Sequence, residues 1–290
     1  MAMPASAETT GSVRGILAMI IAMVSVPTVD GIAKYLSADY SPFFIGWARY
    51  AVAGLAVLPL SALLHGRKMF PAEHLASHAA RTIFLVAAMT LYFLAIARIP
   101  LATALCAYFV GPILAVALSV VVLKERMTPV KGTSLALGFV GSLIILQPGS
   151  TIEPGILLAL ASGICFAFYL IATRRAAQRS DPVKTLAFQC FIGAVLLTPQ
   201  AVLSWSTPAV DHLLLFAGLG LISAVCHLLS IIAFRLADAS TLAPLVYAEL
   251  VGAAIVGYFA FGDVPDMVTL LGAAFIIAAG LILLLRRTAA

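Results

Sequence analysis

Thr103–Glu125 reads TALCAYFVGPILAVALSVVVLKE, and a run of the same pattern, Thr241–Asp263, lies 138 residues further along the chain. Each is an apolar run of about twenty residues that follows a short turn and ends on an acid. A second apolar run containing glycines follows each one. Earlier in the two halves Pro42 recurs as Pro182, at an offset of 140. This spacing indicates a duplication of the chain.

Composition indicates a membrane protein. Of the 290 residues, 63% are hydrophobic and 10% are charged, whereas soluble domains carry about 25% charged residues. Backbone groups in lipid must satisfy one another, so each apolar segment is predicted to be a helix. The predicted spans are 14–36, 42–64, 79–98, 101–123, 129–147, 152–173, 182–204, 212–236, 239–260 and 266–285.

The predicted fold is therefore an all-α integral membrane protein with ten transmembrane helices. Five helices per repeat is an odd number, so the second repeat enters the membrane from the opposite side and the two repeats are inverted. The predicted organisation is an N-terminal tail at 1–13, a first five-helix repeat at 14–149 and a second at 150–290. The two repeats are expected to form one domain.

The basic residues predict the orientation. With both termini in the cytoplasm, all of the 17 Lys and Arg except Lys34, Arg49 and Arg98 fall in or beside cytoplasmic loops. This distribution follows the positive-inside rule and predicts a multi-pass protein of the inner (plasma) membrane. The net charge of +5 is thereby explained by topology, and no nucleic-acid partner is expected. The first apolar segment is too long for a cleaved signal and contains Asp30.

Motifs for enzymatic chemistry are absent from the sequence. It holds no glycine-rich phosphate loop, no GxSxG and no HExxH, so no catalytic residues, cofactor or enzymatic activity are predicted. His74 and His78 have the i, i+4 spacing of a metal pair, but no third ligand lies nearby in the sequence, so a solvated loop is favoured over a metal site.

Three charged residues lie within the first two predicted helices. Asp30 and Lys34 are one turn apart, and Arg49 lies at matching depth on the next helix. Charges inside a membrane are costly and are candidate functional groups. They are interpreted either as a structural ion pair that holds the hairpin together or as an outer gate that meets the substrate. The second repeat has Leu170 and Gln189 at the positions of Asp30 and Arg49, so the charges are not symmetric.

Glu249 lies near the centre of the ninth predicted helix. Burial away from water disfavours its charged form, which makes it a candidate proton site. The alternative is a protonated side chain bonded to a neighbouring carbonyl, or one that only shapes the bundle. Polar stripes on other helices favour a wet central cavity over packing contacts. The predicted cavity residues are Tyr92, Tyr108, Tyr169, His227, Tyr247 and Glu249, whose aromatic rings would enclose an apolar group.

The duplicated unit resembles a known family. An apolar helix ending in LKER, Leu123–Arg126, followed by a helix with regularly placed glycines, resembles the EamA-type unit of the drug/metabolite transporter superfamily. The second copy departs from this ending and reads FGDV, Phe261–Val264. The resemblance covers residues 12–287. It implies a cavity between the repeats and peripheral fifth and tenth helices, with no obligatory protein partner. For Glu125 and Asp263 a capping or gating role is expected.

The resemblance further implies a secondary transporter that works by alternating access in the lipid bilayer. Its most similar members are bacterial exporters of aromatic and other neutral amino acids, so export of amino acids or related small metabolites is expected. A channel, a receptor-like binding protein, and a carrier for drugs or sugar conjugates are the alternatives. Proton coupling and facilitated diffusion both stay open, as does the substrate itself.

Overall fold

Every regular element of the described residues is helical. The computed structural model describes residues 5–122, 129–146, 153–176, 180–236, 246 and 248–285. A π-helical turn, Gly257–Phe261, continues α10, and 3-10 turns occupy Gly66–Lys68 and Val210–His212. The helices are α1 Ala5–Leu36, α2 Pro42–His65, α3 Leu75–Ile96, α4 Leu101–Tyr108, α5 Val110–Val122, α6 Pro129–Leu146, α7 Pro154–Ala176, α8 Pro182–Leu203, α9 Leu213–Leu236, α10 Ala248–Val256 and α11 Met267–Leu285.

Six helical spans in the described residues are long and apolar enough to cross a membrane. Shorter apolar helices accompany them at Thr103–Ala115, Ala248–Phe261 and Met267–Ala279. The chain is thus an all-α membrane protein, and the count of ten spans stays a prediction. The six spans are Val13–Leu36, Pro42–Lys68, Leu75–Ile96, Pro154–Ala172, Pro182–Leu203 and Val210–Leu236.

Two helix starts and one break inside a helix are the main differences from the predicted spans. The first helix begins at Ala5 rather than at 14, and the third begins at Leu75 rather than at 79. The segment predicted as one helix over 101–123 is interrupted by a turn at Phe109, which separates α4 from α5. Pro112 explains this break, because it has no N–H to donate to the carbonyl of Tyr108 four residues earlier.

The two repeat landmarks, Pro42 and Pro182, start equivalent helices. Each proline occupies the first turn of its helix, where a missing N–H costs nothing. The side chain of Ser41 accepts a hydrogen bond from the amide of Phe43, and the carboxylate of Asp181 caps α8 in the same way. α2 and α8 therefore begin with the same local chemistry, 140 residues apart.

α2 and α8 pack against each other in antiparallel register. A Cβ on Gly46 would lie 3.7 Å from the Leu197 side chain, and one on Gly54 would lie 3.8 Å from Cβ of Cys190. α1 packs along α9 and α3 along α7, which is the pairing expected when equivalent helices of the two halves exchange partners, and α6 packs mainly on α11. The inverted relation of the halves stays a prediction that these contacts support.

Glycines allow a very close approach between α7 and the junction of α4 and α5. A Cβ on Gly163 of α7 would lie 2.5 Å from the carbonyl oxygen of Tyr108, and one on Gly111 would lie 2.6 Å from the carbonyl oxygen of Gly163. Real Cβ atoms cannot approach so closely, so α7 crosses the α4–α5 junction backbone to backbone. This crossing fixes Tyr108, at the end of α4, against Phe166 on α7, with ring centroids 4.8 Å apart.

Candidate functional site

Arg49 on α2 is the centre of the candidate site. Its side chain is buried and donates to Oγ of Ser223 at 2.6 Å and to Nε2 of His227 at 2.7 Å. Ser223 and His227 are four residues apart and therefore lie on one face of α9. The third guanidinium nitrogen, Nη1, is buried without a hydrogen-bond partner. Arg49 thus keeps a donor available for a further group.

The geometry of this contact defines the protonation state of His227. A guanidinium group carries donors and no acceptor, so Nε2 of His227 must accept the hydrogen bond. The ring is therefore neutral, with its proton on Nδ1. Protonation of Nε2 would place two donors against each other and break this hydrogen bond between α2 and α9.

Two carboxylates share the buried region of Arg49. Asp30 on α1 is 3% exposed and Glu249 on α10 is 7% exposed. Arg49 interacts electrostatically with both, and the two carboxylates also act on each other. A buried charge must be compensated by an opposite charge. The single positive charge of one guanidinium can balance only one ionised carboxylate. The site therefore carries one more acidic group than its central cation can neutralise.

A row of aromatic rings borders the carboxylates. Tyr92 on α3 lies 5.3 Å from Tyr108, centroid to centroid, and Tyr108 continues to Phe166 at 4.8 Å. Phe166 stacks on Tyr169 at 5.5 Å. Tyr92 and Tyr108 both interact electrostatically with the two carboxylates. The hydroxyl of Tyr92 is buried without a hydrogen-bond partner, which leaves it able to bind a ligand.

Lys34 belongs to a different contact from the one predicted. Its ammonium group pairs with Asp263 at 2.8 Å and lies 4.9 Å from the ring centroid of Phe261. In the described part of the chain neither Lys34 nor Arg49 forms an ion pair with Asp30. Arg49 instead donates to acceptors on α9, and Lys34 reaches the partly exposed turn after α10. Arg49 still interacts electrostatically with Asp30, so a structural pair or an outer gate formed by these two residues stays a prediction. Asp263 meets Lys34 across the two halves of the chain.

The structure brings most of the predicted residues together. Asp30, Arg49, Tyr92, Tyr108, His227 and Glu249 lie in one buried region, and Tyr169 lies at the far end of the aromatic row. Tyr247 lies outside the described residues. Sequence reasoning missed Arg81, which was assigned to a cytoplasmic flank and instead is 2% exposed and donates to the hydroxyl of Tyr169 at 3.1 Å. In the structure α3 begins at Leu75, which places Arg81 nearly two turns inside the helix. An earlier predicted start of this helix would have indicated that Arg81 lies inside it.

Buried polar atoms without partners are rare in folded proteins, and each requires an explanation. Here such atoms belong to Arg49 and Tyr92, beside two buried carboxylates and a row of rings. Ionisable groups inside membrane helices mark substrate or ion pathways. Apolar spanning helices around such a site define a multi-pass membrane transporter.

The chain belongs to the EamA-like transporter family, whose profile matches residues 13–147 and 153–286. It is similar to the S-adenosylmethionine uptake transporter of Rickettsia bellii, with 29% identity over 93% of both chains. It is also similar to the riboflavin transporter of Vibrio cholerae, with 25% identity over 91% of this chain and 90% of that one. The family and these relatives are transporters and not enzymes.

One solved crystal structure shares the fold of nearly the whole chain. It superposes with a TM-score of 0.69 at 21% identity, over 96% of this chain and 99% of that one. The match of the family profile confirms the resemblance to the EamA-type unit that the sequence predicted. These relatives are named as transporters of S-adenosylmethionine and of riboflavin, and the first is named as an uptake transporter. Their names therefore do not support the prediction of amino-acid export.

Proposed function

We propose that this protein transports S-adenosylmethionine, or a closely related amino acid joined to a nucleoside, by alternating access. The observation that supports this proposal is the available donor of Arg49 beside Asp30 and Glu249, at one end of the aromatic row. S-adenosylmethionine carries a carboxylate, an ammonium group, a sulfonium group and an adenine ring. Each of these has a chemical partner in the site.

The pairing follows from charge and shape. Nη1 of Arg49 offers a donor to the substrate carboxylate. Asp30 and Glu249 suit the two cationic centres, and the rings of Tyr92 and Tyr108 suit the adenine, which they can stack against. With both carboxylates ionised the three charged residues sum to a single negative charge, and the substrate has a single net positive charge. The complex is then neutral, as a site buried in a membrane requires.

Riboflavin is a weaker candidate on the same argument. It has an aromatic ring system and no cationic centre, so Asp30 or Glu249 would have to stay protonated or unpaired in its complex. The named relatives divide between the two substrates. The carboxylates of this chain favour the cationic one.

Transport of aromatic or other neutral amino acids is the second candidate. Such a substrate has the carboxylate for Arg49, the ammonium group for one acid and a side chain for the rings. Because its net charge is zero, one of Asp30 and Glu249 would need a proton in the complex. Binding of an amino acid to this site should therefore leave a proton in place, whereas binding of S-adenosylmethionine should displace it.

The test is uptake by purified protein in proteoliposomes. Radiolabelled S-adenosylmethionine, riboflavin and phenylalanine are compared with protein-free vesicles under the same conditions. The proposal expects saturable uptake of S-adenosylmethionine, inhibited by an excess of the unlabelled compound. Transport of riboflavin or phenylalanine without transport of S-adenosylmethionine would overturn it and identify the alternative substrate. Adding the label inside or outside the vesicles gives the direction of transport. The name of the Rickettsia bellii relative, an uptake transporter, favours entry, whereas the family resemblance of the sequence predicts export.

A further inference from the structure

A second buried arginine lies at the far end of the aromatic row. Arg81 on α3 is 2% exposed, and its guanidinium lies 5.1 Å from the ring centroid of Tyr169, to whose hydroxyl it also donates. Tyr169 thus fixes Arg81 by a ring face and a hydrogen bond together. Because the row runs from Tyr92 through Tyr108 and Phe166 to Tyr169, the rings connect the carboxylates of the candidate site to Arg81.

Tyr50 lies beside both arginines. The guanidinium carbon of Arg49 is 5.7 Å from the centroid of its ring, and Arg81 also acts on it electrostatically. Among the described residues its buried hydroxyl has no hydrogen-bond partner. The ring packs against Gly193 of α8, where a Cβ would lie 2.6 Å from it. Glycine at 193 therefore admits the Tyr50 ring between α2 and α8.

Gln189 adds an unsatisfied amide to the same face of α8. It is 1% exposed, and neither its Nε2 nor its Oε1 has a hydrogen-bond partner. It lies one turn before Gly193, which packs against the Tyr50 ring. An apolar residue of this size would cost nothing here, whereas a buried amide without partners destabilises the empty protein. Its presence is explained if a ligand supplies the missing partners during the transport cycle.

We propose that Arg81, Tyr50 and Gln189 form a second binding position, which receives the amino-acid end of the substrate after it leaves Arg49. The Tyr50 hydroxyl and the Gln189 amide nitrogen offer donors for a carboxylate, which the positive charge of Arg81 attracts, and the amide oxygen of Gln189 offers an acceptor for an ammonium group. The inference rests on the proposed function, because it assigns this position to the same substrate. A carrier must release the substrate that it binds. A second position for the substrate carboxylate suits this requirement, because the carboxylate can leave Arg49 without losing all of its partners.

Replacing Gln189 separates binding from transport. Gln189→Leu removes the amide and leaves Arg49 intact, so equilibrium binding of S-adenosylmethionine should stay within about threefold of wild type. Loss of a hydrogen bond to a charged group should slow transport at saturating substrate by about tenfold or more. The thermal midpoint of the empty variant should equal or exceed that of wild type. Gln200→Leu, the same change at an exposed position of α8, is the matched control and should transport normally.

Two further variants test the assignment. Gln189→Met, an apolar side chain of similar length, should reproduce the effect if Gln189→Leu does not fold. Arg81→Lys keeps the charge and loses the planar fork, and should also slow transport with little change in binding. Transport at the wild-type rate by the Gln189 variants, or loss of binding in parallel with transport, would overturn the second position. If the wild type itself transports no S-adenosylmethionine, the proposed function fails and this inference falls with it.

Discussion

Arg49 donates a hydrogen bond from Nη2 to Nε2 of His227, 2.7 Å away, and so joins α2 of the first half of the chain to α9 of the second. The same guanidinium interacts electrostatically with Asp30 and Glu249, which come from one half each. A carrier that opens alternately must change contacts between its halves. On the proposed function, the Arg49 side chain takes part both in substrate binding, through Nη1, and in the contact between the halves, through Nε and Nη2.

Replacing Arg49 by Leu should remove transport and lower stability. Both carboxylates then lose their shared cation, and breaking a buried charge interaction costs about 3–5 kcal/mol. Adding Asp30→Asn should recover part of the stability, because one uncompensated carboxylate is removed. Thermal unfolding of the purified variants measures both effects.

Arg98→Leu is the control for this pair, since Arg98 is exposed in the turn after α3 and, among the described residues, donates only to the carbonyl of Leu94 near the end of that helix. It should leave the thermal midpoint nearly unchanged. If the double variant is destabilised by the sum of the two single changes, Arg49 and Asp30 are not energetically linked.

Binding of S-adenosylmethionine should release a proton. In the empty site one guanidinium faces Asp30 and Glu249, and burial disfavours the uncompensated charge, so one carboxylate holds a proton. A substrate with a net positive charge replaces that proton. Adding substrate to the protein in weakly buffered detergent solution should therefore acidify the solution by about one proton per molecule bound.

Glu249→Gln separates this proton from the substrate. The amide imitates the protonated acid, so the variant should bind substrate with little or no proton release and should lose acceleration of transport by a pH gradient. Because Glu249 is also proposed to pair with a cationic centre of the substrate, exchange of substrate across the membrane should persist but require a higher substrate concentration. Full proton release by Glu249→Gln would exclude Glu249 and leave Asp30 as the proton carrier.

The pair of Lys34 and Asp263 should contribute modestly to stability. Both side chains are partly exposed, at 18% and 23%, and such pairs are worth about 0.2–1 kcal/mol. Lys34→Ala and Asp263→Ala should each change the transport rate by a few fold, since the pair joins the end of α1 to the turn after α10. A charge exchange, Lys34→Asp with Asp263→Lys, should restore part of the loss. Failure of the exchange to restore any of it would show that the contact does not limit transport.

Gly163→Ala should destabilise the protein and reduce transport. The new methyl group would lie 2.5 Å from the carbonyl oxygen of Tyr108, and overpacking of this kind costs about 1–3 kcal/mol. Separation of α7 from α4 also displaces Tyr108 from Phe166. Gly132→Ala is the matched control, because nothing lies within 4 Å of a Cβ at that position of α6. A helix gains from alanine there, so thermal unfolding should give opposite signs for the two variants.

The sequence predicted the helical membrane fold because its signals are local. Apolar length predicts spans, and Pro42 and Pro182 mark equivalent helix starts from their own chemistry. The buried region of Asp30, Arg49 and Glu249 could also be anticipated, since each charge is conspicuous in an apolar helix.

Side-chain partners could not be predicted in the same way. Lys34 pairs with Asp263, 229 residues away along the chain, and nothing in the sequence near Lys34 indicates this partner. The hydrogen bonds of Arg49 to Ser223 and His227 likewise have no signal in the sequence. These choices depend on which helices of the two halves pack together, and that packing has no local signal. Arg81 was missed because a boundary error of one turn decides whether a cation lies in a loop or in the site.

Counterflow in proteoliposomes tests the central claim most directly. Vesicles containing the wild-type protein are preloaded with unlabelled S-adenosylmethionine and diluted into a trace of the labelled compound. A carrier that alternates access predicts a transient accumulation of label above the equilibrium level, absent from protein-free vesicles and from Arg49→Leu vesicles. Uptake that rises only to equilibrium would indicate a channel, and the absence of uptake above protein-free vesicles would contradict the account.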